Sequence, residues 1–160
     1  MKRNKSVVFG LLAALVFPAS LYAQSEGRNV TLVNNATGEL VEANADGTQE
    51  TLPYVVPPGQ ELCVRDVAWE VQGAPGAEVQ FWLTNTNTDL VSSYQLWGVD
   101  PTLNGSGWAS GLASFQAGPQ VTENGKLSFS GSGVTAAIIA VYAIQRALPT
   151  GADVQTPCFP

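Results

Sequence analysis

Few side chains in this chain of 160 residues could carry out chemistry, and the most versatile one is missing, because the sequence contains no histidine. That removes Ser-His-Asp and Cys-His nucleophilic catalysis, the usual zinc sites and the commonest general base. A Ser-Lys arrangement would have to use Lys126, which sits beside a turn and reads as solvated. Paired carboxylates of the kind used in glycoside hydrolysis remain, and Asp66, Glu70 and Asp100 have the most apolar or aromatic neighbours. They read more simply as solvated surface acids. No catalytic residue, enzyme activity or cofactor is expected.

Asn85, Asn87 and Asp89 are spaced by two, so an extended backbone would put their oxygens on one side, with Asp100 and Asn104 as further donors. Calcium takes such ligands. The central glycine and terminal glutamate of a calcium loop are not there, and Asn, Asp and Thr clusters ordinarily build turns. No metal site is expected.

The aromatic residues give the more specific reading. Tyr94, Trp97 and Trp108 flank or occupy a stretch rich in glycine, Asp100–Gly111, together with Asp100 and Asn104. Long loops of this kind carry function more often than the elements they join. Aromatic rings beside amides and carboxylates suit flat polar ligands such as sugars, with the ring covering the apolar face and the polar groups binding the hydroxyls. Tyr94, Trp97, Asp100, Asn104 and Trp108 are therefore the candidate ligand-binding set, for a glycan or a protein surface. The competing reading is that Trp97 and Trp108 pin the loop to the body of the protein. Trp69 and the Phe81 face are assigned to the core, and Trp82 to the opposite, outer face.

The N-terminus has the pattern of an export signal. Lys2, Arg3 and Lys5 precede an apolar run from Val7 to Phe17, and Ala23 is a suitable residue before a cut. Secretion to a periplasm or beyond is expected, with no stable membrane insertion once the signal is removed. Cleavage would leave four basic residues (Arg28, Arg65, Lys126, Arg146) against 13 acidic ones, a net charge of −9. Nucleic acid, which is bound through clustered Lys and Arg, is not an expected partner. In an oxidising compartment the two cysteines, Cys63 and Cys158, should form one disulfide closing a loop of about 95 residues.

The elements that must position these residues read as strands. Pro53–Val71 looks like a short strand, a Pro57-Pro58-Gly59 turn and a longer strand with a bulge near Asp66, where Val67 breaks the alternation. Glu78–Thr84 alternates cleanly, and a polar turn is expected over Thr84–Asp89. Leu90–Val99 is a further strand, and Asn124-Gly125 signals a hairpin joining Val121 to the Leu127/Phe129 strand. Val134–Leu148 is apolar on both faces as far as Ile144, which suits a central strand. Asn29–Glu42 reads as a hairpin with little apolar surface, either an edge appendage or a strand lent to a neighbouring molecule.

Short strands punctuated by Gly, Pro and Asn, without an amphipathic helix, predict an all-β fold: a single β-sandwich, jelly-roll-like in its order, with an immunoglobulin-like order as the alternative. The Cys…Trp…Cys pattern of immunoglobulin domains is absent. The expected layout is a signal peptide over 1–23, an N-terminal hairpin or extension over 24–50, the sandwich over 51–148 and a tail over 149–160 tethered by the disulfide. The expected function is a secreted, non-catalytic module for recognition or adhesion. The alternative is a structural subunit that assembles with copies of itself.

Overall fold

The computed structural model describes residues 27–87, 92–148 and 158. The expected signal peptide and most of the expected tail lie outside them. Among the described residues the fold is all-β, with no helix.

Nine strands run in chain order: β1 (Arg28–Asn34), β2 (Leu40–Glu42), β3 (Gln60–Gly73), β4 (Gln80–Asn87), β5 (Ser92–Val99), β6 (Trp108–Ser114), β7 (Gln120–Val121), β8 (Gly125–Ser132) and β9 (Val134–Ala147). They form two antiparallel sheets packed as a sandwich. The larger sheet has the order β2-β1-β9-β3-β6, with β7 also paired to β3, and the smaller has the order β5-β4-β8.

The two 14-residue strands β3 and β9 pair along almost their whole length, from Gln60 opposite Ala147 to Gly73 opposite Val134. The expected bulge is present: the register steps from Val64 opposite Ala143 to Asp66 opposite Tyr142, leaving Arg65 as the extra residue. This explains how Leu62 and Val64 on one side of the bulge, and Val67 and Val71 on the other, all reach the core fully buried although the strict period of two is broken. Facing them across the sandwich are Phe81 and Leu83 of β4 and Leu127 of β8, also buried.

The N-terminal hairpin departs from expectation. It is no appendage, because β1 pairs with β9 over six positions, from Arg28 opposite Gln145 to Val33 opposite Ala140. Val30, Leu32 and Leu40 are all buried in the core, while Val33 and Val41 pair on the other face. Only β2 stands at the sheet edge. Thr51–Val56 is also not a regular strand. This segment crosses from one sheet to the other, with the Tyr54 N–H donating to Leu40 O (2.8 Å) and the Val56 N–H to Gly125 O (3.0 Å). It makes a single bridge, Val55 to Lys126, and buries Tyr54 and Val56.

The Asn124-Gly125 signal marks a turn of a different kind from a hairpin. The Gly125 N–H donates to Thr122 O at 3.0 Å, and Asn124 takes the left-handed conformation (φ 60°) that Asn tolerates. The flanking strands then part: β7 joins β3 in the large sheet and β8 joins β4 in the small one. The turn is a corner between layers. A second corner is tighter still, because Gly133 alone (φ 78°) separates β8 from β9. The polar stretch after Thr84 is likewise strand, not turn, as far as Asn87, since Thr84–Asn87 is paired on both sides.

Cys63 and Cys158 are bonded, with Cα atoms 5.4 Å apart. Cys63 lies opposite Ile144 on the outward side of the large sheet yet is fully buried, bonded there to the buried Cys158. Arg146, in register with Glu61, donates from Nε to its carboxylate at 2.6 Å and from Nη1 to the Cys158 carbonyl at 3.4 Å. Glu61 is 4% exposed, so this ion pair is sheltered, and it fastens the same end of the sheet as the disulfide.

The bond encloses a separation of 95 residues. Replacing both cysteines by alanine should lower the unfolding free energy by about 4–5 kcal/mol in the chain-entropy account, measured by urea denaturation, with a steeper slope because the freed unfolded chain is more expanded. Glu61→Ala, which removes the carboxylate from this sheltered pair, should by itself lower it measurably in the same experiment.

Candidate functional site

The five aromatic and polar residues singled out in the sequence fall in four different surroundings. Trp97 belongs to the core. Its ring meets Phe81 edge-on, with centroids 5.7 Å apart, and Phe115 at 6.5 Å. Phe81 also contacts Trp69 (5.0 Å) and Phe129 (5.6 Å), so Trp97 is one ring of a cluster centred on Phe81. The Trp69 ring in turn lies against Gly111 on the neighbouring strand, where an added Cβ would come within 2.5 Å of it. The glycine in β6 is there because the indole needs its space.

Trp108 starts β6, so the expected loop is shorter and ends at Gly107. It is opposite Gln72 in register, one position from the inward-facing pair Val71 and Ala109. Alternation turns Trp108 to the outward side of the large sheet, with the whole sandwich between it and any outward group of the small sheet. Asn104 is exposed, but its side-chain oxygen is already occupied. It accepts from the Ser106 N–H (2.9 Å), the Ser106 hydroxyl (2.8 Å) and the Trp108 N–H (3.0 Å), which closes the 104–107 turn and launches β6. Asp100 is exposed at the start of the loop.

Tyr94 is 47% exposed and lies opposite Asn85, towards the other end of β5, six residues and roughly 20 Å of strand from Asp100. The Asn85 amide donates to the Tyr94 hydroxyl at 2.8 Å, which braces a buried Asn rather than presenting a ligand site. The five residues are thus not brought together. The oxygen donors weighed for calcium are separated in the same way, since Asn85 and Asn87 lie at the far end of β4 from the 100–104 loop; Asp89 is outside the described residues.

Asp66 and Glu70 share the outward side of the large sheet, two positions apart after alternation. The Ser114 hydroxyl first, then the Arg65 guanidinium, hydrogen-bond the charged form of Asp66 and hold its carboxyl below the usual carboxylate range. A group so stabilised as an anion is a poor proton donor near neutral pH.

What the sequence reading missed is the outward side of the large sheet. Leu112 of β6 is 65% exposed, Ile138 of β9 is 64% exposed and Tyr142 of β9 is 37% exposed. Register lines up Leu112, Ala68 and Ala140, and then Val33, across four adjacent strands. Tyr142 and Ile138 flank that row along β9. Asp66 and Glu70 are the only charged residues among these strand positions between Gln72 and the bulge, although the chain carries 13 acidic residues. Half of the signal was legible, because Val134–Ile144 is apolar on both faces. Leu112, alone among Ala, Ser and Gly, carries no periodicity of its own. No family model matches the sequence, and neither does any curated protein.

Two expectations follow. Trp97→Ala should cost on the order of 2–4 kcal/mol in urea denaturation, as the loss of a core ring, while Trp108→Ala should cost under about 1 kcal/mol. The second concerns acid. Lys126 first, through a hydrogen bond, lowers the pKa of Glu39, as Ser114 and Arg65 lower that of Asp66. Depressed carboxylates contribute stability above their unfolded values and lose it as the pH falls through the folded ones. The melting temperature should therefore hold down to the ordinary carboxylate range and drop below it. Lys126→Met should flatten that drop, and a pH series of thermal melts checks it.

Proposed function

We propose that the chain is a secreted, non-catalytic β-sandwich module that works by surface contact, in recognition or adhesion, and that its working surface is the outward side of the large sheet. The basic start, apolar run and Ala23 support export, and the disulfide is compatible with it. The observation that carries the reading is the exposure of Leu112 on β6 and of Ile138 and Tyr142 on β9, with Ala68 of β3 and Ala140 of β9 between them on the same side of the sheet, since exposed apolar side chains grouped on one surface mark contact sites. At one end of the same side, Trp108 stands beside Gln72, with Ser110 and Glu70 one outward position along. This is the ring-plus-amide-plus-carboxylate chemistry that suits a sugar, and it differs from the loop set expected from sequence in every residue except Trp108.

Size argues about the kind of contact. Four strands at about 4.8 Å and some six residues at about 3.3 Å make a patch of roughly 400 Å². A standard stable interface buries about 800 Å² on each partner. The patch suits a weak or multivalent contact better than a permanent dimer, which favours recognition or adhesion over the second reading, a subunit that self-assembles through this side.

The test is the secreted form, residues 24–160, on a glycan array and in light scattering across a concentration series, beside the double variant Leu112→Glu/Ile138→Glu. The wild type should be retained by a glycan class or should associate with itself. The variant should lose at least tenfold in that binding with its melting temperature within a few degrees. A wild type that binds nothing and stays monomeric overturns the reading, and association without glycan capture turns it to self-assembly.

A further inference from the structure

A second feature is the free edge of β6. Among the described residues the two sheets have four outer edges, and three of them are blunted. On β2 the Leu40 and Glu42 carbonyls already accept from the Tyr54 and Glu50 N–H groups, both at 2.8 Å. β8 is bridged by Glu39 at Ser128 and by Val55 at Lys126. β5 carries a bulge, since Leu83 pairs with Trp97 and Thr84 with Gln95, leaving Leu96 as the extra residue. β6 pairs with β3 alone, without a register shift, and its sequence WASGLAS holds no charge and no proline. Charge, proline, bulges and cover are the devices that protect an edge strand, and β6 has none of them among the described residues.

The direction of its main-chain groups follows from bonds at both ends of its ladder with β3. The Gly73 N–H donates to Gly107 O at 3.0 Å, and the Phe115 N–H donates to Arg65 O at 2.9 Å. The register is unbroken between these two pairs, so Ala109, Gly111 and Ala113 turn their N–H and C=O groups to β3. Trp108, Ser110, Leu112 and Ser114 turn theirs away from it. At Trp108 both groups are taken, because its N–H donates to Asn104 Oδ1 (3.0 Å) and its carbonyl accepts from the Asn104 N–H (2.9 Å). At Ser110, Leu112 and Ser114 they have no partner among the described residues, and all three residues are exposed. The free edge is thus the run Ser110–Ser114, with Leu112 at its centre.

We propose that this edge pairs with the same edge of a second copy of this chain, antiparallel, about a two-fold axis through Leu112. The three residues with free groups read Ser-Leu-Ser, the same in both directions. Leu112 then faces Leu112 of the second copy, Ser110 faces Ser114, and Gly111 faces Ala113, so like meets like and no charges are opposed at the seam. Every free N–H and C=O of the three residues finds a partner. The register is specified as well. An axis through Gly111 would set Ser114 against Trp108, whose groups Asn104 holds, and one through Ala113 would set Ser110 against Gln116, beyond the end of the strand. Asp66 and Glu70 lie one strand back from the seam, so the carboxylates of the two copies stay three strand spacings apart, about 14 Å, beyond the screening length at physiological salt. The free run makes about 17 Å of edge, short of a standard interface, so the pairing is reversible. It joins two large sheets into one and sets two outward sides next to each other, which is how a weak surface contact gains strength from valency. The pairing stands on the main-chain groups of β6 and does not rest on what the outward side binds.

The experiment is sedimentation and amide exchange by NMR on residues 24–160, over a series from about 10 µM to about 1 mM. In dilute protein the Ser110, Leu112 and Ser114 amides should exchange at least about a hundredfold faster than those of Ala109, Gly111 and Ala113, which face β3. At the top of the series dimer should form, and the first three should slow at least tenfold. A mixture of labelled and unlabelled copies should show a nuclear Overhauser contact between the α-protons of Gly111 in one copy and Ala113 in the other, the close pair of this register. Ser110→Pro removes an N–H that β3 does not use, and should weaken association at least tenfold while the amides facing β3 stay protected. That variant keeps Leu112, Ile138 and Tyr142, so capture of a glycan by single copies should persist in it, and failure here is distinguishable from failure of the surface reading. Should it not fold, the exchange and contact measurements make the same test on the native protein. A protein that stays monomeric throughout the series overturns the proposal. So does a Ser110→Pro variant that associates as tightly as the wild type, or Ser110, Leu112 and Ser114 amides already protected in dilute protein.

Discussion

The structure depends on the ladder between β3 and β9. Each strand is 14 residues long, and the two pair nearly end to end, so every other strand of the large sheet is hung from one of them: β1 and then β2 on β9, β6 and β7 on β3. The pairing joins residues 61 to 87 positions apart, a costly closure for a flexible chain. Three things offset that cost at one end of the ladder: the disulfide from Cys63, the sheltered Glu61–Arg146 pair, and the hold of Arg146 on the Cys158 carbonyl. The bulge at Arg65 does the remaining work. It resets the alternation so that the clamped half and the free half both send valines inward.

From that asymmetry follows the division of the surface. At the clamped end the outward side of the large sheet carries Cys63, bonded to Cys158, and Glu61 in buried positions. At the other end the same side is uncovered, and it is there that Ile138, Leu112 and Trp108 stand. A strand that is apolar on both faces needs two cores or one core and one partner. β9 has its single core on the side of Ile139 and Val141, so its other side is where a contact is to be sought.

The sequence made the architecture legible where a residue's role was local. Alternation in Val79–Leu83, the broken alternation at Val67, the Pro57-Pro58-Gly59 turn and the lone cysteine pair each carry their meaning within a few positions. What was not legible depended on which sheet a strand joins. Asn124-Gly125 announces a reversal, yet a reversal between layers uses the same residues as one within a sheet. The β1–β2 hairpin looked thin because its few apolar residues are counted singly, when their burial comes from β9, more than a hundred residues away. The loop aromatics failed as a group for the same reason. Spacing brings Trp97 and Trp108 within a dozen residues, but pairing sends one ring to the core against Phe81 and the other to the far side of the opposite sheet.

The proposed working surface is the uncovered side of the large sheet and not the 100–107 loop. Hydroxyl-radical footprinting of residues 24–160, free and attached to any glycan or protein surface that retains them, distinguishes the two. The expected result is ready oxidation of Leu112, Ile138 and Tyr142 in the free protein and shielding of all three on attachment, with Trp97 unchanged in both states. Shielding confined to Tyr94 and the residues around Asp100, with Leu112 and Ile138 still oxidised, would contradict it.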